Sequence, residues 1–246
     1  MRTDWPEGVG RRVLAEVDST NAEAFRLAGG LAGPEWILGL RQTAGHGRRG
    51  RDWQAPEGNF AATLVMRPEE RPDVVALRSF VAALALFDAL NAATGRSDLL
   101  SLKWPNDVLL RGGKVAGILL ESSGPVLAIG IGVNLVAAPD QAVLEARAVA
   151  PVSVLGETGV RIAPDAFLDL LAAAYARHEE SFVRYGFAPI RELWMARAAR
   201  LGQVITARTL RDEVSGTFST VDEQGNLVLE TAQGRRVIPA ADVYFE

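Results

Sequence analysis

Cysteine is absent from the 246 residues. That absence excludes disulfides, thiolate metal ligands and any thioester carried by the chain itself, and it suits a reducing compartment. Histidine is nearly as scarce. His46 has only His178 as a second imidazole and no carboxylate cluster beside it, so no dedicated metal site is expected. Nor is there an excess of positive charge: 26 Lys and Arg stand against 30 Asp and Glu, a net charge of −4. A broad basic footprint for nucleic acid is thereby excluded. The longest apolar run, from Phe80 to Leu90, is too short to span a bilayer and contains Asp88. Met1 to Pro6 carry no apolar signal region. The expectation is a soluble, cytoplasmic protein whose partners are neither membranes nor nucleic acids.

What the chain does have is an ordinary globular composition, 48% hydrophobic and 23% charged. At this length it can bury a sizeable core as one large domain or two unequal ones. Against the acidic background one stretch stands out, Gln42 to Trp53, where three arginines and three glycines fall within residues 45–51. Glycines let backbone N–H groups come close to a ligand, and arginines offer forked donors to carboxylate or phosphate. The loop is suited to a small anion. Its spacing Gly45-x-Gly47-x-x-Gly50 also matches the dinucleotide-binding fingerprint, but that motif must open a helix. Pro56 and Gly58 follow here and argue against one.

Along the chain, Arg12 to Asp18 alternates as a strand. Thr20-x-x-Glu23 is a capping-box pattern, and a helix is expected from Asn21 to Ala28 before Gly29-Gly30. Ser19 and Thr20 read first as helix caps, although a helix N-terminus with free hydroxyl and N–H groups also suits an anion. Strands are expected at 36–40 and 59–66, and one long buried helix at 73–94. Strands at 99–104, 108–110, 115–121 and 126–135 are joined by the Gly112-Gly113 and Ser123-Gly124-Pro125 turns. Such hairpins imply an antiparallel or mixed sheet with helices on one side. Residues 137–162 read as loop with one short helix, followed by helices at 164–185 and 189–200. From Gln203 onward five short strands suggest a small barrel, with the boundary near Leu201-Gly202. The division expected is 1–200 and 201–246.

Two further stretches carry chemistry. Lys103-Trp104-Pro105-Asn106-Asp107 exposes a carboxylate and an amide where a strand breaks, and Lys114-x-x-Gly117 lies on the next strand. Alone, Lys114 reads as a charge protecting a strand edge. Gly130-x-Gly132-x-Asn134 puts two glycines on one face of an apolar strand, where room for a ligand is their best purpose.

In order and spacing these motifs resemble the biotin–protein ligases: Gln42-Thr43 through Arg51-x-Trp53, Lys103 through Asp107, Lys114-x-x-Gly117-Ile118-Leu119-x-Glu121, and Gly130-x-Gly132-x-Asn134. The similarity is strong over residues 11–135, and the terminal small barrel is consistent with the family's last domain. The resemblance implies an α+β fold: a mixed, largely antiparallel sheet flanked by helices, class II synthetase-like, with a C-terminal SH3-like β-barrel. It implies two steps, formation of biotinyl-5′-AMP from biotin and ATP with Mg²⁺, then transfer of biotin to one lysine of a biotin carboxyl-carrier domain. It implies catalytic roles for Arg48, Lys114 and Asp107, the last orienting the incoming amine or accepting its proton. Biotin contacts are implied for Ser19, Thr20, Asn21, Gln42, Gly45, His46, Gly47, Arg48, Lys114, Gly117 and Gly132. ATP contacts are implied for Arg48, Arg51, Trp53, Lys114 and Asn134. Some relatives pair two protomers through a sheet edge, so a homodimer is compatible with the resemblance; no stretch specifies it.

Two departures stand out. His46 occupies a position where the family most often has arginine. A histidine donates more strongly to an anion once protonated. Adenylate retention is therefore expected to fall more steeply with rising pH than in an arginine-bearing relative. An unchanged pH profile of adenylate release in His46→Arg would remove that idea. Second, about ten residues precede the first strand, too few for the DNA-binding domain of some family members. Competing readings are a lipoate or octanoate ligase or transferase of the same fold, and a non-enzymatic nucleotide- or RNA-binding module. The dense Gly/Arg loop and the terminal barrel favour biotin over lipoate, and the concentrated charge disfavours RNA.

Overall fold

The computed structural model describes residues 4–140, 149–209 and 212–245. A seven-stranded sheet of order β1-β2-β3-β7-β6-β5-β4 forms the larger part. Its strands are β1 (Gly10–Leu14), β2 (Glu35–Gly39), β3 (Phe60–Met66), β4 (Leu100–Lys103), β5 (Asp107–Leu110), β6 (Gly113–Ser123) and β7 (Val126–Val133). Only β1 and β2 run parallel; every other pair is antiparallel. The helices are α1 (Thr20–Ala28), α2 (Pro72–Ala76), α3 (Arg78–Thr94), α4 (Val154–Thr158), α5 (Pro164–Tyr185) and α6 (Phe187–Met195).

Alternation along the strands sorts residues to two faces. Leu64, Ile129, Ile131 and Val133 join the main core with α3 and α5, where Phe60 meets Phe167 edge-on and Trp36 meets Tyr175. Their neighbours Ile37, Val65 and Ala128 face the other way and pack on Ala24 and Ala28 of α1. The expectation of helices on one side is corrected accordingly: α1 covers the opposite face. Its amphipathic stripe is narrow and small, which suits a short helix lying on Val65 and Ala128.

Other expectations shift for local reasons. β1 ends at Leu14, and the chain reaches Val17 through separate bonds to Arg41 and Thr43. The N-cap of α1 is Ser19, whose hydroxyl accepts from Ala22 N, one residue before the capping box expected from Thr20. The long helix divides at Leu77, where three-residue bonds from Leu77 to Val74 and from Phe80 to Leu77 tighten the turn. Gly225, at φ +80°, packs there; a Cβ on it would lie 2.9 Å from Leu77 and 3.0 Å from Phe80. α6 stops at Met195 because Arg197 and Ala199 bond Leu102 on either side, covering the outer edge of β4.

The five terminal strands, β8 (Val204–Arg208), β9 (Glu213–Val221), β10 (Leu227–Thr231), β11 (Gly234–Ile238) and β12 (Asp242–Phe245), form one antiparallel sheet, the SH3-like module. It is fastened to the larger part by Trp104 Nε1, in the β4–β5 turn, donating to Gly225 O at 3.0 Å and by Arg191 of α6 donating to Thr220 and Val221. Among the described residues no helix is long and apolar enough to cross a membrane.

Candidate active site

Register across the large sheet builds the floor of a cavity. Asp107 pairs with Gly117, Gly117 with Gly132, Gly132 with Ala61 and Ala61 with Gly39. Across five strands, this row carries no side chain larger than a methyl group except Asp107. A cavity of about 470 Å³ opens over the row. The next row is Leu119, Gly130 and Thr63, on which the N-terminus of α1 rests. A Cβ on Gly130 would lie 2.4 Å from Asn21 Oδ1, so that glycine lets α1 descend onto the sheet.

One irregularity makes the site. Lys114 and Gly117 are three apart and should face opposite ways on a regular strand. The register shifts between Val108 and Leu109: Leu109 pairs with Lys114 and Val108 with Ala116, leaving Val115 unopposed on β5. This bulge turns Lys114 onto the same face as Asp107 and Gly117. Lys114 Nζ reaches Asp107 Oδ1 at 2.6 Å, and Lys103 Nζ reaches Asp107 Oδ2 at 3.3 Å. Burial alone would raise the Asp107 pKa, but the two ammonium groups outweigh it and hold the carboxyl below its ordinary value. Burial pushes the Lys103 ammonium down, with Asp107 opposing.

The arginine-rich loop closes the cavity from above. Arg48 to Gly50 make a single 3-10 turn in which Arg49 is left-handed at φ 59°. Arg49 and Arg51 donate to Asp242 Oδ2 at 2.6 and 2.8 Å, so β12 of the terminal module holds the loop. The three arginines depress the Asp242 pKa against the opposing effect of its burial. Arg48 bends inward, with Nη1 at 3.4 Å from Asn106 Oδ1 and Ala241 O, and burial lowers its pKa. The Trp53 indole lies directly on the glycine floor: a Cβ on Gly132 would come within 2.3 Å of the ring, and Lys114 Nζ is 5.8 Å from its centroid. The space expected above Gly132 therefore holds Trp53.

At the other end the walls are neutral. Thr20 N donates to Gln42 Oε1 at 3.0 Å, Thr20 Oγ1 lies 3.2 Å from the same oxygen, and Ser19 caps α1. His46 Nε2 sits 3.4 Å from Glu121. Back at the cationic end, beside Lys114, Asn134 N donates to Val115 O and Asn134 Nδ2 to Val152 O, while its buried Oδ1 has no partner among the described residues.

The cavity gathers Ser19, Thr20, Asn21, Gln42, His46, Gly47, Arg48, Arg51, Trp53, Asp107, Lys114, Gly117, Gly132 and Asn134. Gly45 is not on its lining. A Cβ there would lie 2.1 Å from Gln42 Nε2 and 2.9 Å from Trp53 O, so Gly45 lets Gln42 cross beneath the loop. Asp107 also departs from expectation. Both of its oxygens face ammonium groups, which suits an anchor for the two lysines better than an acceptor for a third amine. Sequence reasoning did not single out Lys103, Asn106 or Asp242 as site residues, yet all three line the cavity. Lys103 and Asn106 stood inside a quoted motif; Asp242 carries no local signal at all.

The description "Biotin/lipoate A/B protein ligase family" matches residues 12–135, and "Biotin protein ligase C terminal domain" matches residues 201–246. The chain is 57% identical to the biotin--[acetyl-CoA-carboxylase] ligase of Paracoccus denitrificans, over 95% of this chain and 99% of that protein. It is 32% identical to the bifunctional ligase/repressor BirA of Bacillus subtilis, over 92% of this chain and 71% of that protein. Among solved structures, the biotin protein ligase from Aquifex aeolicus in complex with biotin and ATP superposes with a TM-score of 0.81 at 26% identity, covering 95% of this chain and 97% of that one. On the matched domains, the near-complete alignment to a ligase and the shared fold, this chain belongs to the biotin protein ligase family.

Proposed function

We propose that this chain is a biotin–protein ligase that forms biotinyl-5′-AMP and then transfers biotin to a lysine of a carboxylase's carrier domain. The observation that carries the reading is the polarity of the cavity. A floor of glycine and alanine, ending at Asp107, runs from a neutral hydrogen-bonding end, at Ser19, Thr20 and Gln42, to a cationic end at Arg48, Lys103 and Lys114. A neutral bicyclic ring with a carboxylate tail fits that gradient, the ring at the neutral end and the carboxylate among the cations.

In the first step a carboxylate oxygen attacks the α-phosphorus of ATP, and the bond to the bridging oxygen of pyrophosphate breaks. Charge builds on the α-phosphate, so fixed cations lower the barrier most. Lys114 and Arg48 take that role, with Asp107 and Lys103 fixing the position of Lys114. Arg51 faces the outer phosphates, and Trp53 packs on the adenosine side. The unpartnered Asn134 Oδ1 is an acceptor for the exocyclic amine of adenine. Mg²⁺ enters with ATP as its phosphate counter-ion; among the described residues no group of three or more His, Asp or Glu side chains is placed to hold a metal. In the second step the carrier lysine gives up a proton to solvent, its neutral nitrogen attacks the acyl carbon, the bond from that carbon to the phosphate oxygen breaks, AMP leaves with that electron pair, and the amide nitrogen releases its remaining extra proton to solvent. The same reading divides the chain near Leu201-Gly202, with the terminal module serving the site through Asp242.

Pyrophosphate release with ATP, Mg²⁺ and either biotin or lipoate tests the reading, followed by addition of a biotin carrier domain. Release with biotin and a mass gain on one carrier lysine are expected. Turnover with lipoate instead would move the protein to the sister activity on the same fold.

A further inference from the structure

Glu121 lies outside the cavity lining and has no place in the two chemical steps, yet it joins His46, 3.4 Å away, to a chain of hydrogen bonds that begins inside the cavity. Its Oε2 accepts from Asn21 Nδ2 at 2.8 Å. Asn21 Oδ1 is 2.6 Å from Thr63 Oγ1, which is 2.8 Å from Thr20 Oγ1. Thr20, Asn21 and Thr63 are all buried. Glu121 sits on β6 opposite Ala128, one row beyond the Gly130–Thr63 row that carries Asn21.

Proton counting gives this chain a direction. An ionised carboxylate only accepts, so the Asn21 amide must turn its N–H₂ toward Glu121. Its oxygen then faces Thr63 and can only accept. A hydroxyl has one proton, and that of Thr63 is committed to Asn21. Two hydroxyl protons serve three contacts here, because Gln42 Oε1 lies 3.2 Å from Thr20 Oγ1 as well; the two shorter contacts take them, so Thr20 donates to Thr63 across 2.8 Å and the 3.2 Å contact is left without a proton. What remains toward the cavity at Thr20 is lone pairs, beside Gln42 Oε1, which already accepts from Thr20 N. The neutral end of the cavity is thereby set to receive N–H donors. Were Glu121 absent, the Asn21 amide could turn over, Thr63 could donate to Thr20, and the acceptor character at Thr20 would weaken.

We propose that Glu121 is a positioning residue for substrate choice: it fixes the proton direction of the Asn21–Thr63–Thr20 relay so that the cavity accepts the N–H groups of a cyclic urea. A dithiolane ring offers no such donors and gains nothing from the arrangement. The proposal rests on the biotin reading of the site. Sites whose buried acceptors are paired only by the right ligand discriminate strongly against ligands without the matching group.

The test is steady-state pyrophosphate release by the full chain at varied biotin and varied ATP. Glu121→Ala is expected to raise KM for biotin about tenfold, with kcat changed by less than about twofold and KM for ATP unaltered. Asn21→Asp places two carboxylates face to face and should raise the biotin KM as much or more. The double variant Asn21→Asp/Glu121→Gln restores the direction, because the introduced amide donates to the introduced carboxylate, which still accepts from Thr63. Its biotin KM is expected within about threefold of the parent. A merely structural contact would not be repaired by this exchange. An unchanged biotin KM in Glu121→Ala, or a double variant no better than Asn21→Asp, overturns the proposal while leaving the ligase reading intact. A parent chain that releases no pyrophosphate with biotin overturns the reading, and the proposal with it.

Discussion

Lys114→Ala is expected to lower biotin-dependent pyrophosphate release by about a thousandfold or more at saturating biotin and ATP, a loss of about 4 kcal/mol of transition-state stabilisation. The reason lies in the charge balance at the cationic end. Lys103, Lys114 and Asp107 together carry a net charge of +1 toward the cavity; removing Lys114 leaves Lys103 neutralised by Asp107. Arg48 then has to carry more of the charge at this end, and its guanidinium already leans on Asn106 and Ala241. The fold should tolerate the change, because the Lys114 side chain is partly exposed and its backbone stays bonded to Ala150 and Val152. A melting temperature close to the parent's, together with the collapse in rate, is the expected pair of results. A drop of less than tenfold would mean that the α-phosphate is held elsewhere, and the assignment of Lys114 would fall.

Lys114 also shows where sequence reading reaches its limit. The motifs lie together in space, since residues of 42–53 and 103–107 and the glycines at 117, 130 and 132 border one cavity. Periodicity could find β3, β6 and β7 because each is a run of apolar residues bounded by turn signals. It could not find the bulge at Val115, which depends on how β5 and β6 pair rather than on either strand alone. A regular strand would have sent Lys114 into the core with Val115's neighbours, so its role could be taken only from the resemblance. Asp242 was hidden for a related reason. It comes from the far end of the chain, and nothing around it predicts that Arg49 and Arg51 will close on it. Thr63 is the one polar residue of β3, and only the descent of α1 over Gly130 gives it partners. The break at Leu77 was likewise invisible, because the turn at Gly225 that packs on it belongs to the terminal module.

Gly132→Val is expected to reduce kcat/KM for ATP by about a hundredfold while leaving the protein folded. The glycine sits on a central strand, where valine is a favoured residue and adds no backbone penalty. Folding alone therefore supplies no reason for glycine at this position. The reason lies above it: a single added Cβ would meet three atoms of the Trp53 indole at 2.3 to 2.6 Å, closer than real contacts allow, and the branched methyl groups add to that. The ring cannot sink into the sheet, so it must lift away from the floor and from Lys114, taking with it the loop segment whose Trp53 N is bonded to Gly45 O. Misplacing the adenosine-side wall and the arginine loop together should raise the ATP KM more than the biotin KM, since the neutral end is supported separately by Thr20, Gln42 and Thr63. Gly117→Ala provides the internal comparison. Its Cβ would lie 3.3 Å from the indole and 3.5 Å from Lys114 Cε, a crowding that a few tenths of an ångström relieve, so its effect should be several-fold at most. Equal effects of Gly132→Val and Gly117→Ala would show that Trp53 is not seated on the floor during turnover. A large effect at Gly132 with a small one at Gly117 would make the indole, held over a row without side chains, the wall against which the nucleotide is placed.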